Sequence, residues 1–183
     1  MIISEVIKKS GYDCEVFISD LDGAQLSEKM RKYSPDIIAF TLMSADLRWF
    51  NDTILQLQKI LPGVPVIVGG PHTTFSPELI ESYNVKAVFR GEAEETLEEF
   101  LRNYGNEDKL KAINGLWYKD KDGNIYRNEM RFLPQDLDKL PFPDRDNYYG
   151  KYEALKMLET KVFMTSRGCP FQCTFCFNKR YQE

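Results

Sequence analysis

The chain has 183 residues, 43% of them hydrophobic and 28% charged, the make-up of a folded globular protein with room for one ordinary domain and part of another. Its 24 basic and 28 acidic residues leave a net charge of −4, which argues against nucleic acid or an anionic membrane surface as partner. No apolar run approaches the roughly 18 residues of a membrane span, and the first residues lack a signal peptide's apolar core.

Ile2, Ile3, Val6 and Ile7 fall at helical spacing, and the pattern stops at Gly11. Cys14 to Ile18 predicts a strand ending in the polar Ser19-Asp20, within which Cys14 is a small buried hydrophobe rather than a ligand. No G-x-G-x-x-G precedes Asp20, so it is given a turn or helix-start role, not a dinucleotide contact. Leu26, Met30 and Tyr33 mark a short amphipathic helix that closes before Pro35. Asp36 to Leu42 is a near-continuous apolar run, as expected of a strand buried on both faces. Leu47, Phe50, Ile54, Leu57 and Leu61 draw the inner stripe of the next helix, with Ser44 as its N-cap.

Val64 to Val68 predicts another buried strand, emptying into Gly69-Gly70-Pro71-His72-Thr73-Thr74, and Ser76-Pro77 reads as a helix start. Lys86 to Arg90 predicts a strand running into Gly91-Glu92. Glu94, Glu95, Glu98 and Glu99 read as the solvated face of a helix whose inner side is Leu97, Phe100 and Leu101. Strand and helix alternating at this period predict an α/β fold with a doubly wound parallel sheet. Ligands of such sheets bind at the carboxyl ends of the strands, where the Thr41-to-Ser44, Gly69-to-Thr74 and Gly91-Glu92 loops all fall. Beyond Gly105, the segments around Trp117 and Tyr126 flank Asp122-Gly123 and predict a β-hairpin. Arg131 to Pro143 reads as an extended connector, with a short helix around Tyr152 to Leu158.

The densest chemistry lies in Ser166-Arg167-Gly168-Cys169-Pro170-Phe171-Gln172-Cys173-Thr174-Phe175-Cys176-Phe177, where three of the four cysteines stand at spacing C-x3-C-x2-C. Thiolates are soft ligands for iron–sulfur clusters or zinc. Structural zinc takes four protein ligands and ordinary ferredoxin clusters take four cysteines, so three leave one position open. A zinc loop completed from elsewhere is the alternative, against which the chain offers a single, distant histidine. Clustered cysteines without a disulfide-like distribution point to a reducing cytoplasm. With Phe175 before the last cysteine and a β-type run, Lys161 to Thr165, ahead of it, the loop resembles the cluster-binding loop of radical S-adenosylmethionine (SAM) enzymes. The resemblance implies a [4Fe-4S] cluster on Cys169, Cys173 and Cys176, with its open iron chelating the amino and carboxylate groups of SAM. One electron would then cleave the sulfonium to a 5′-deoxyadenosyl radical, with Phe175 and Phe177 helping to seat SAM.

Gly69-Gly70-Pro71-His72-Thr73, Arg90-Gly91-Glu92-Ala93-Glu94 and Leu140-Pro141-Phe142-Pro143-Asp144-Arg145, in that order before the cysteines, resemble the cobalamin-binding radical SAM enzymes. In that family a Rossmann-like cobalamin domain precedes the SAM barrel. Gly69 and Gly70 would let the backbone approach a bulky ligand, an ordinary strand-to-loop turn being the alternative. By resemblance, Thr41, Ser44, Thr73 and Thr74 line the pocket for the lower-face tail of cobalamin, with Gly91 and Glu92 on the same rim. The D-x-H-x-x-G loop is absent, since Gly70 stands two before His72 and Phe75 three after it. No cobalt–histidine bond is therefore expected, and His72 is a loop residue near the ligand or a hydrogen-bonding one.

The expected organisation is an incomplete cobalamin-binding Rossmann-like domain over 1–105, a hairpin and proline-containing connector over 106–158, and the truncated start of a radical SAM domain over 159–183. The strand before the first helix and most of the barrel are missing from this plan, so the chain is read as an inactive fragment. The resemblance implies for the parent a methyl transfer or related radical reaction on a small-molecule substrate, with electrons from a flavodoxin or ferredoxin. The alternatives are a corrinoid-binding or partner-docking module with structural cysteines, and a radical SAM enzyme whose Rossmann-like domain has lost cobalamin.

Overall fold

In the computed structural model, which describes residues 1–178, the apolar runs become β1 (Ile38–Thr41), β2 (Val66–Gly69), β3 (Ala87–Phe89), β4 (Leu116–Lys119) and β5 (Ile125–Arg127). They join in that order into one five-stranded sheet. β1, β2 and β3 are parallel, with Thr41 opposite Gly69 and Val68 opposite Val88, so their carboxyl ends finish along one edge. β4 runs antiparallel to β3 and β5 antiparallel to β4, pairing Val88 with Trp117 and Tyr118 with Tyr126. The hairpin thus continues the sheet instead of belonging to a separate connector. Leu116, Trp117 and Tyr118 are all buried, and pairing with β3 satisfies their backbone while covering them.

The helices of the described residues are α1 (Ile2–Lys9), α2 (Ser19–Asp22), α3 (Leu26–Tyr33), α4 (Leu47–Ile60), α5 (Pro71–Phe75), α6 (Leu79–Ser82), α7 (Glu94–Arg102), α8 (Glu107–Leu110) and α9 (Glu153–Lys156). They build a core on each face of the sheet. On one face Met30, Phe50, Ile54, Leu57 and Ile80 pack against Ile38, Val66, Val68 and Val88. On the other, Val6, Leu97, Phe100 and Leu110 pack against Ile67, Ala87 and Phe89. In α4, Phe50, Ile54 and Leu57 are no more than 2% exposed, and burying each contributes about 1.5–3 kcal/mol. Among the described residues no helix is long and apolar enough to cross a membrane.

Several expectations are corrected. Cys14 to Ile18 is extended but forms no strand, because its backbone bonds go to side chains. The Asn147 side chain donates to the Cys14 carbonyl (2.8 Å) and accepts from the Val16 amide (3.2 Å), in place of a neighbouring strand. The Tyr152 hydroxyl and the Asp22 carboxylate take the Ile18 amide at 3.1 and 2.8 Å. Residues 147–152, beyond the proline-containing connector, are thereby tied to the amino-terminal half. β2 and β3 are buried on both faces, but in β1 Ala39 and Thr41 are exposed, since β1 is an edge strand among the described residues. Ser44 does not cap α4: a 3₁₀ turn over Ser44–Asp46 intervenes, and Asp46 holds the cap position without a side-chain bond. The glycine loop winds into α5, and the helix expected at Ser76-Pro77 begins at Leu79. The late helix shrinks to Glu153–Lys156. Lys161 to Thr165 carries no strand partner among the described residues, and Val162, Phe163 and Met164 are at least 73% exposed.

Candidate functional site: the carboxyl edge of the sheet and the cysteine loop

Three loops meet at the carboxyl edge because each leaves a neighbouring parallel strand. They are laced by backbone bonds: the Leu42 amide donates to the Gly69 carbonyl (2.9 Å), and the His72 amide donates to the Leu42 carbonyl (3.0 Å). Gly70 sits at φ +107°, and a Cβ there would come within 2.8 Å of both Leu42 N and Leu42 O. Its glycine is demanded by the approach of the β1 loop, not only by room for a ligand. Gly69 could accept a Cβ at ordinary contact distance from Phe89.

Thr73 and Thr74, expected to offer hydroxyls to a ligand, are buried at 0% and 1% exposure. The Thr73 hydroxyl lies 3.0 Å from both the Gly70 and the Phe89 carbonyls. The Thr74 hydroxyl donates to the Gly70 carbonyl (3.1 Å) and accepts from the Gly91 amide (3.1 Å). Both therefore clamp the β2 loop to the β3 loop. Ser44 Oγ lies 3.0 Å from His72 Nδ1, a pair that ties the β1 loop to α5. Thr41 and Ser44 are exposed at the edge, beside Met43 at 58% and Trp49 at 39% exposure. Gly91 has open space around it at φ +72°.

The cysteine segment lies against this same edge. Arg167 donates to Glu92 Oε2 (2.5 Å) and Glu94 Oε1 (2.6 Å), and the Phe177 ring stacks on Phe75 of α5 at 4.6 Å between centroids. Burial holds the Glu92 carboxyl above its ordinary range, with Arg167 opposing and Glu94 adding to the rise. Cys173 is exposed and Cys169 and Cys176 are half-buried. Phe175 is 90% exposed.

Among the described residues no three His, Cys, Asp or Glu side chains are gathered closely enough to hold a metal ion, so the fold by itself does not converge the three thiols. In kind they suit an iron–sulfur cluster: soft donors on one short loop, reachable from solvent. Metal itself draws such ligands together, because binding and local ordering are coupled. Cys14, expected to be buried, is half-buried, and partial burial pushes its thiol pKa up to about 11.

Sequence reasoning missed Arg167, Glu94, Asn147, Tyr152 and Asp22. The last two form a buried 2.6 Å hydrogen bond across 130 residues, and no local pattern announces it. Arg167 stands two residues before the cysteine trio, but only the structure shows that its partners are Glu92 and Glu94, some 75 residues earlier.

Residues 1–101 match the B12 binding domain family, more than half of the chain. An uncharacterised methyltransferase of Pyrococcus horikoshii is 37% identical over 172 residues, covering 89% of this chain and 37% of that protein. The anaerobic magnesium-protoporphyrin IX monomethyl ester cyclase of Cereibacter sphaeroides is 28% identical over 181 residues, 93% of this chain and 29% of the cyclase. The chain thus spans about a third of the length of these relatives. Among solved structures, the cobalamin-dependent S-adenosylmethionine radical enzyme OxsB with aqua-cobalamin bound gives a TM-score of 0.64 at 23% identity, over 79% of this chain and 21% of that one. The radical S-adenosylmethionine methyltransferase TsrM of Kitasatospora setae, with cobalamin and a [4Fe-4S] cluster bound, gives 0.59 at 18% identity, over 76% and 27%. Both likenesses concern the fold, a Rossmann-like cobalamin-binding domain. The chain belongs to the B12-binding domain family, in the form carried by cobalamin-dependent radical SAM enzymes.

Proposed function

We propose that the chain is the cobalamin-binding and cluster-carrying part of a radical SAM enzyme that transfers a methyl group, or performs a related radical reaction, on a small-molecule substrate. The observation that supports this most is the junction itself: the C-x3-C-x2-C segment packs through Arg167 and Phe177 onto the sheet edge of the B12-binding fold. This arrangement would house the two chemistries within reach of one another. When bound, the cluster would supply the electron that cleaves SAM, and cobalamin would supply a methyl carrier.

The chain's own residues do the holding. Cys169, Cys173 and Cys176 would ligate the cluster, leaving one iron for SAM, while the exposed Phe175 and the stacked Phe177 flank that loop. Thr41, Ser44, Gly69 and the Gly91-Glu92 rim would meet the cobalamin tail, while Gly70, Thr73 and Thr74 fix the loops that form its floor. His72 would not ligate cobalt, the D-x-H-x-x-G pattern being absent, and would instead tie α5 to the β1 loop through Ser44. A flavodoxin or ferredoxin in the cytoplasm would deliver the electron.

The test is anaerobic reconstitution of the full-length protein with iron and sulfide, followed by EPR of the reduced state with and without SAM and by titration with hydroxocobalamin. A [4Fe-4S]⁺ signal that shifts with SAM, together with stoichiometric cobalamin uptake, is expected. A cluster blind to SAM would refute the enzyme reading, and zinc in its place would return the cysteines to a structural role. A histidine-nitrogen ligand on bound cobalamin would refute the assignment of His72.

A further inference from the structure

We infer that Arg167 is a positioning residue that couples the two cofactor sites, its guanidinium latching the cysteine loop to the rim of the cobalamin-binding edge through Glu92 and Glu94. The inference rests on the function proposed above. The latch is built from both sides. Nη1 reaches Glu92 Oε2 at 2.5 Å and Nη2 reaches Glu94 Oε1 at 2.6 Å, with side chains only 19%, 24% and 8% exposed. Exposed ion pairs contribute little, but this one is largely withdrawn from water and uses both arms of a planar fork. Without the cation, two carboxylates would face each other at the start of α7, and Glu94 Oε2 already lacks a hydrogen-bond partner among the described residues.

Each end of the latch is mechanically continuous with a cofactor site. Glu92 follows Gly91, whose amide is held by Thr74, whose hydroxyl is held in turn to the Gly70 carbonyl. A ligand seated on the edge therefore presses on the loop that carries Glu92. At the other end, Cys169 lies two residues beyond Arg167, within about 7 Å of chain. The segment leading up to Arg167 is largely exposed and its strand-like run, Val162 to Met164, pairs with no strand among the described residues, so the placement of the cysteine loop depends on such anchors. Coupling of this kind is reciprocal: cobalamin that orders the rim favours the loop position that receives SAM, and SAM favours cobalamin.

The experiment measures SAM affinity from the EPR shift of the reconstituted full-length protein, with and without hydroxocobalamin, in the parent, Arg167→Gln, Arg167→Lys and Glu92→Gln. In the parent, cobalamin should tighten SAM binding about fivefold or more, within the range usual for linked sites. Arg167→Gln should keep the cluster and bind each cofactor alone, yet reduce the coupling to about one. Arg167→Lys, a point charge without the fork, should restore less than half of it, and Glu92→Gln should weaken it if Arg167→Gln fails to fold. Coupling in Arg167→Gln equal to that of the parent would overturn the latch. A parent that binds both cofactors without coupling would overturn it alone, leaving the proposed function standing. A parent that takes up no cobalamin, or whose cluster ignores SAM, would overturn both.

Discussion

Replacing Gly70 with alanine tests the idea that the sheet edge is closed by backbone contact. Gly70 has φ +107° and ψ 180°, a region that side-chain-bearing residues avoid at a cost of about 1–3 kcal/mol. The new Cβ would also stand 2.8 Å from Leu42 N and O and 3.3 Å from Thr41 Cγ2. Those first two atoms are backbone and already bonded to Gly69 and His72, so they cannot swing aside as a flexible side chain would. Forced overpacking of this kind adds about 1–3 kcal/mol, for a total of about 2–6. Gly91→Ala is the matched control: φ is +72°, nothing lies within 4 Å, and only the conformational cost of about 1–2 kcal/mol applies. Urea unfolding followed by far-UV circular dichroism gives both values at constant m. The β1 and β2 loops would separate in Gly70→Ala, so hydroxocobalamin uptake should weaken as well. Equal losses in the two variants would show that the Gly70 contact is not fixed, and would refute the closed edge.

Tyr152→Phe removes the hydroxyl that bonds Asp22 Oδ2 at 2.6 Å and receives the Ile18 amide, and should cost about 1.5–3 kcal/mol by urea midpoint; no loss would mean that water replaces it. Burial raises the carboxyls of Asp22 and Asp144, but hydrogen bonds and the cations Lys29 and Lys8 outweigh it and leave both below their ordinary value. Their contribution is therefore complete above pH of about 4 and lost as pH falls further, while Glu92, held the other way, tilts the profile slightly downward as pH rises above that point. A urea midpoint as high at pH 3 as at pH 5 would contradict this. Cys169→Ser, Cys173→Ser or Cys176→Ser should each abolish the cluster absorbance, whereas Cys14→Ser should retain it. With its thiol near pKa 11, Cys14 is only about one part in a thousand thiolate at pH 8, and should react with iodoacetamide far more slowly than Cys173.

The central strands and the helical stripes were legible because they rest on local periodicity: Val66 to Val68 and Phe50, Ile54, Leu57 are buried as their spacing requires. The position of the edge was legible too, since the order of alternating strands puts the Thr41, Gly69 and Gly91 loops at one end. Contacts across long sequence separation were not. Cys14 to Ile18 has the composition of a strand, but whether it pairs depends on what stands beside it, and there the neighbours are Asn147 and Tyr152. Thr73 and Thr74 look like ligand donors in a glycine loop. Only the fold shows that their hydroxyls are spent on the Phe89 and Gly70 carbonyls and the Gly91 amide.

That expenditure has a consequence for recognition. With Thr73 and Thr74 buried, what the edge presents outward is Thr41, Met43 and Ser44 from the β1 loop, the backbone at Gly69 and Gly91, and the Glu92 rim. A loop whose hydroxyls were free would have to reorganise around each ligand. Here the backbone bonds of Leu42, His72, Thr74 and Gly91 fix the loops beforehand, so less ordering entropy is lost when a large ligand arrives. The same economy applies to the carboxyl-terminal side. Asp144, Asn147 and Tyr152 bind the residues after the hairpin to Lys8, Cys14 and Asp22, which fixes the point from which the chain departs toward Arg167 and the cysteines. The rim is thus preset by its own loops, and the cysteine loop is brought to it by a tether at one end and an ion pair at the other.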